Sequence, residues 1–263
     1  MWTRLELKTR TKAIMKLGYW KMFLVGLLLA LVSSNNKGNF NYDNTDKLKF
    51  DGSGLQFNGD VAGGVDAVKE IPAFVPWLFM GALGLGILII LVALGLRVFL
   101  GMPLEVGCKR FYLKATGEEF DMNHVGFSFK SERYMNIVKT MFYRGLLIFL
   151  WTLLLIIPGI IKSYAYRMVP YILSDNPNID FRRAVELSDD MTSGQKFDIF
   201  VLDLSFIGWY ILGGLALGIG VFFVNPYVYG TNAELYNVLK ENALRDNLCS
   251  ADELTMNEEQ FEF

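Results

Sequence analysis

The sequence predicts an all-α membrane protein, a polytopic helical bundle of about six membrane segments built from helical hairpins, with cytoplasmic interfacial helices. Hydrophobic residues make up 52% of the 263 residues, more than an ordinary soluble domain contains. They are clustered in nearly uncharged runs, and about 20 such residues are enough to cross a bilayer. The runs are 20–32, 74–100, 145–161 and 197–224.

The N-terminal segment is basic. Residues 1–21 contain six Lys/Arg and a single acid, Glu6. Because lysine and arginine accumulate on the cytoplasmic side of membrane spans, we expect the N-terminus in the cytoplasm. The run 20–32 then forms a retained first span, and a cleaved signal peptide is the alternative.

Residues 33–72 differ in composition, being rich in Asn, Asp and Gly with four Lys against six acids. This composition predicts a turn-rich extracytoplasmic loop. The second span, 74–100, returns the chain to the cytoplasm, where the link 101–140 carries several Lys and Arg side chains.

A helical hairpin is predicted next, with an outward arm at 141–157, a turn at Pro158–Gly159 and a returning arm at 160–173. Without the return, Lys162, Arg167 and the basic link 174–196 would all lie outside, against the charge bias. A last hairpin follows from 197 to 229. We therefore expect residues 1–240 to form one polytopic domain and the acidic tail, 241–263, to be disordered.

Arg167 lies within the returning arm, where a charged side chain is costly unless it is paired. Asp203 is about seven residues from Lys196, and Arg167 is about seven residues from Ser174, so their depths match. These two residues are the candidate intramembrane charge pair.

The link 174–196 contains a predicted amphipathic helix. Phe181, Val185 and Ser188 recur at helical spacing, whereas Arg182 and Arg183 face the other way. Together with Lys196, these two arginines are the candidate interfacial or partner surface. The helix either rests on the inner leaflet or docks a partner.

The sequence contains no catalytic motif, so we do not expect an enzyme or a cofactor. The net charge of −2 argues against nucleic acid as a partner. We expect a non-catalytic scaffold, regulatory or envelope-organising protein whose partners are the lipid bilayer and other membrane proteins or anionic lipids. The alternative is a small-solute or ion transporter or channel that uses Arg167 and Asp203.

Two blocks, 151–161 and 204–209, resemble the DUF975 family of bacterial integral membrane proteins of unknown function. Shorter matches at 18–21, 103–107, 194–197, 226–227 and 234–236 accompany them. The resemblance implies a location in the bacterial cytoplasmic (inner) membrane. It supplies no catalytic residues.

Overall fold

The computed structural model describes residues 2–33, 75–215 and 220–254, and the all-α class is confirmed for them. The predicted loop 33–72, apart from Ser33, lies outside the described residues, as do 216–219 in the last hairpin and 255–263 in the tail.

The described residues contain eleven α-helices, one π-helical turn and one 3-10 helix. In chain order they are α1 (Arg4–Ser33), α2 (Val75–Leu96), the π turn (Arg97–Gly101), α3 (Met102–Ala115), the 3-10 helix (Met122–Phe129), α4 (Ser131–Leu154), α5 (Ile156–Ala165), α6 (Val169–Asp175), α7 (Phe181–Thr192), α8 (Lys196–Leu204), α9 (Ile207–Leu215), α10 (Gly220–Arg245) and α11 (Ala251–Leu254).

Four helical stretches are long and apolar enough to cross a membrane, which agrees with a membrane protein. The predicted returning arms are not among them, because α5 is short and the start of α10 contains Asn225 and Pro226. The four stretches are Arg4–Val32, Met80–Ala115, Arg133–Leu154 and Lys196–Leu215.

The chain divides into two units, one of residues 1–36 with 96–263 and the other of residues 37–95. In the second unit the structure describes only α2 up to Gly95. From Met80 onward its leucine and isoleucine side chains are exposed on all sides of the helix. A helix that is apolar all round is typical of a membrane span.

In the first unit, α1 bends at Gly18, whose φ of −141° and ψ of 34° are not helical. The ring of Phe120 packs against this glycine, and a Cβ there would lie 2.4 Å from the ring. Beyond the bend, α1 packs on α10, where the rings of Phe23 and Phe223 lie 4.8 Å apart. The run 20–32 is therefore part of the packed unit.

The central hairpin exists, but its turn is at Leu155 and not at Pro158–Gly159. Pro158 lies in the first turn of α5, where its missing N–H would have had no helical partner in any case. Gly159 allows the two arms to touch, since a Cβ there would lie 2.4 Å from the Thr152 hydroxyl. Pro158 was predicted to break a helix, whereas it lies near the start of one.

The returning arm is also different from the prediction, because it is two helices, α5 and α6, interrupted at residues 166–168. Contacts with α8 show that α5 and α8 run parallel. The ring of Tyr164 lies 6.1 Å from that of Phe200, three residues before the contact between Arg167 and Asp203. Helix α8 therefore leads away from the α4–α5 turn.

This arrangement corrects the predicted layout of the hairpin. The sequence placed the turn and the link 174–196 at opposite ends of the returning arm. In the structure, Asp189 near the end of the link contacts Lys162, which follows Leu155 by only seven residues, or about 10 Å of helix. The turn and the end of the link lie on the same side of Arg167. The distribution of Lys and Arg indicates which helix ends face the cytoplasm. It does not determine how the helices pack against each other.

The prediction of disorder is wrong for residues 241–254. Helix α10 continues to Arg245, α11 follows, and Leu254 is 1% exposed. The prediction rested on the acidic composition of the tail as a whole. That composition does not show that a few apolar residues are buried or that some carboxylates are anchored by basic side chains elsewhere in the fold.

Candidate functional site

Arg167 and Asp203 form an ion pair held by two parallel hydrogen bonds. Arg167 Nη1 donates to Asp203 Oδ2 at 2.6 Å, and Nη2 donates to Oδ1 at 2.8 Å. Arg167 is in the break between α5 and α6, and Asp203 is in the last turn of α8. Their side chains are 19% and 33% exposed. Two parallel charge-assisted bonds fix both distance and orientation.

Two neutral residues complete this centre. Arg167 Nη2 also donates to Asn232 Oδ1 in α10 at 2.8 Å, and the Tyr164 hydroxyl donates to Asp203 Oδ2 at 3.1 Å. The centre therefore ties the α5–α6 break to α8 and α10. Sequence reasoning missed both residues. Tyr164 is one helical turn before Arg167, which is a usable signal, whereas nothing in the sequence singles out Asn232.

A second pair adjoins the first. Arg144 in α4 donates from Nε to the carbonyl of Tyr166 at 2.8 Å, and its Nη1 lies 3.9 Å from Glu105 in α3. Neither Arg144 nor Glu105 was predicted from the sequence as part of a charge pair. Tyr171 in α6 is 1% exposed, and its hydroxyl has no hydrogen-bond partner among the described residues.

Lys196, one of the predicted partner-surface residues, is part of a three-residue ion cluster. The Asp189 carboxylate accepts from Lys162 Nζ at 2.7 Å and from Lys196 Nζ at 2.6 Å. Burial alone raises the pKa of Asp189, but the two lysine hydrogen bonds outweigh it and lower the pKa below its ordinary value. The cluster joins α5, α7 and the start of α8.

Arg183, the second predicted partner-surface residue, holds the C-terminal segment. Its Nε donates to Glu253 Oε1 at 2.5 Å, and its Nη2 donates to the carbonyl of Leu248 at 2.7 Å. The hydrogen bonds that it donates to the Glu253 carboxylate raise the pKa of the Arg183 guanidinium. Arg182 remains exposed, with its guanidinium 5.5 Å from the Phe181 ring centroid.

A groove in the described part of the chain lies away from the charge centre. An open groove of about 870 Å³ is formed where the N-terminus meets the α7–α8 turn and the end of α10. Trp2, Arg4, Lys8, Asp198 and Arg245 are among its lining residues, and Arg167 and Asp203 are not. No group of three His, Cys, Asp or Glu side chains in the described ranges is arranged to hold a metal ion.

The first prediction concerns the ion pair. Arg167→Gln and Asp203→Asn should each lower the free energy of unfolding by about 2–3 kcal/mol, because each leaves an uncompensated charge in a largely buried place. The double variant should lose at least about 1 kcal/mol less than the sum. Thermal unfolding in detergent measures all four proteins. The exposed pair Arg245–Asp246, 3.3 Å apart, is the control and should show no coupling. Additive losses at 167 and 203 would contradict the pairing.

The second prediction concerns the ion cluster at Asp189. Because its folded-state pKa is below its ordinary value, the stabilisation is present at neutral pH and is lost as the pH falls below about 5. Asp189→Asn should remove roughly 1 kcal/mol at pH 7 and flatten the fall in melting temperature between about pH 5 and 3. Asp198→Asn, which alters an exposed carboxylate in α8, is the control. Identical pH profiles for wild type and Asp189→Asn would refute this.

No curated protein and no solved structure matches the chain. A family comparison does give a match, and it covers the helices that build the charge centre, with Arg167, Asp203 and Asn232 inside it. Residues 126–243 match the model of the family described as Protein of unknown function (DUF975), which confirms the family resemblance over that part of the chain.

Proposed function

We propose that this protein is a non-catalytic component of the bacterial cytoplasmic (inner) membrane that scaffolds or regulates other membrane components. It crosses the membrane several times with its N-terminus in the cytoplasm, as the basic segment 1–21 favours. The observation that carries the proposal is the internal pairing of the charge centre.

The pairing supports a structural role for the charges. Arg167 and Asp203 bond to each other through both carboxylate oxygens, and Asn232 and Tyr164 occupy further bonding positions. A transported ion or solute has to replace such bonds, and losing one partner of this largely buried pair is expected to cost about 2–3 kcal/mol. A centre that joins three segments in this way suits a rigid bundle better than a pathway.

Exposed apolar residues at the α4–α5 turn supply a surface for binding. Ile157 is 73% exposed, and Leu153, Leu154, Leu155 and Ile156 beside it are also exposed. A contiguous exposed apolar patch is typical of contact with a partner or with lipid. Arg182 is the cation of the predicted partner surface that remains exposed, since Arg183 and Lys196 bond to carboxylates.

A transporter or channel is the second candidate, and a specific observation favours it. Arg167 lies at a break between two helices, and Arg144, Glu105 and Asp203 are partly exposed close to it. Transporters place charged residues at interrupted helices near the middle of the membrane.

One experiment separates the two functions. In proteoliposomes with K⁺, Na⁺, H⁺ or Cl⁻ gradients, we expect no saturable flux above that of protein-free vesicles. Crosslinking in membranes should recover the same few partners repeatedly, and Arg182→Glu should reduce that recovery several-fold because it reverses an exposed charge. Lys130→Glu, at another exposed cation, is the control. Saturable flux abolished by Asp203→Asn would establish the transporter instead.

A further prediction concerns which side the α4–α5 turn faces. Its closeness to the end of the link supports a layout in which Ile157 and Ser193 lie on the same side of the membrane, whereas a crossing hairpin puts them on opposite sides. Single cysteines at these positions are labelled with a membrane-impermeant reagent, after Cys108 and Cys249, both buried, are replaced by alanine. The two positions should react alike with the reagent, because they lie on one side. Labelling of 157 but not 193 from outside would restore the crossing hairpin.

A further inference from the structure

Four basic residues follow each other at intervals of four in the first half of α1. They are Arg4, Lys8, Lys12 and Lys16, and this spacing puts them along one side of the helix, which we name the basic stripe. None of them forms an ion pair with another described residue. The nearby acid Glu6 is bonded to Arg10 at 2.6 Å and so does not neutralise the stripe.

The middle of the stripe is held in place by neutral groups. Lys8 Nζ donates to the Ser205 hydroxyl at 2.7 Å and lies 4.2 Å from the centroid of the Phe206 ring. Lys12 Nζ lies 5.7 Å from the centroid of the Tyr227 ring. Such contacts position an ammonium group and attract it weakly. Such contacts do not supply a counter-ion for the positive charge of the ammonium group.

An exposed apolar face adjoins these two lysines. Trp209 packs edge-on against Tyr227 with ring centroids 6.2 Å apart and is 47% exposed. Leu204 and Ile207 lie on either side of Phe206 in the sequence and are exposed as well. Cations therefore border an aromatic cluster, and apolar side chains continue beyond it. In membrane proteins, Trp and Tyr are enriched at the membrane–water interface, between the lipid headgroups and the acyl chains.

Acidic side chains lie near the N-terminal end of the stripe without pairing with it. Asp198 and Asp246 line the same groove as Arg4 and Lys8, and Arg245 in that groove lies 3.3 Å from Asp246. No carboxylate contacts Lys8 or Lys12 in the described part of the chain. Both lysines are therefore open to an external anion, with Lys16 beyond them.

We propose that Lys8 and Lys12, flanked by Arg4 and Lys16, bind the phosphate of an anionic phospholipid, whose acyl chains lie along the exposed face of α8 and α9. The ligand has to be both anionic and apolar, because the cations and the apolar face are continuous. This deepens the proposed function, on whose membrane location it rests, by naming a ligand class and its surface.

Lipid retention tests the proposal. The full chain is incorporated into vesicles of phosphatidylglycerol and phosphatidylcholine, re-extracted in mild detergent, and its bound lipids are quantified by mass spectrometry. Wild type should retain phosphatidylglycerol preferentially. Lys8→Gln with Lys12→Gln should lower that preference about 30-fold, since each surface lysine contributes about 1 kcal/mol toward anionic lipid and 1.4 kcal/mol is tenfold.

Matched variants make the result decisive. Lys130→Gln with Lys139→Gln removes two exposed cations elsewhere and should keep the preference. Lys8→Arg with Lys12→Arg keeps the charges and should also keep it. An unchanged preference in the Lys8/Lys12 glutamine variant, or an equal loss in the Lys130/Lys139 variant, would overturn the lipid site. Partner recovery by crosslinking is read separately, so failure here is distinguishable from failure of the scaffold role.

Discussion

The ion pair between Arg167 and Asp203 is the constraint on which the central part of the fold depends. An arginine in an apolar segment has to find an anion, because leaving it unpaired costs more than the segment gains by burial. The break at 166–168 turns Arg167 toward α8, and two hydrogen bonds then fix its position against Asp203. Asn232 brings α10 to the same point. The parallel course of α5 and α8 is the geometric consequence.

The other ion pairs repeat this pattern around the centre. The Lys162–Asp189–Lys196 cluster joins α5 to α7 and α8, and Lys240 binds Asp175 at 2.5 Å, joining α10 to α6. Each pair links segments that are distant in the sequence. Partly exposed pairs contribute little stability individually, but they select one arrangement of helices whose apolar faces alone would fit several. Charged residues that the sequence predicted to bind a partner, such as Arg183 and Lys196, are in this way bonded within the fold.

Features that depend on local residue order were predictable from the sequence. The described parts of the apolar runs are mostly helical, and matching depths singled out Asp203 as a partner for Arg167, which the structure brings together. Features that depend on packing were not predictable. Proline occurs both where helices end and in the first turn of helices. Pro158 is of the second kind, so the turn was predicted three residues late. The order of the tail was hidden because its anchor, Arg183, is 70 residues from Glu253.

The basic stripe differs from the ion pairs of the fold because its two central lysines have no carboxylate partner among the described residues. At several other places in the described structure, cations are paired with carboxylates even between distant helices, as at Arg183 and Lys162. At Lys8 and Lys12, the described residues provide only a hydroxyl, a backbone carbonyl and aromatic rings. Surface lysines in water need no counter-ion, but these two lie beside exposed apolar side chains that water solvates poorly. A phospholipid satisfies both requirements at once, because its phosphate neutralises the lysines and its acyl chains cover the apolar face.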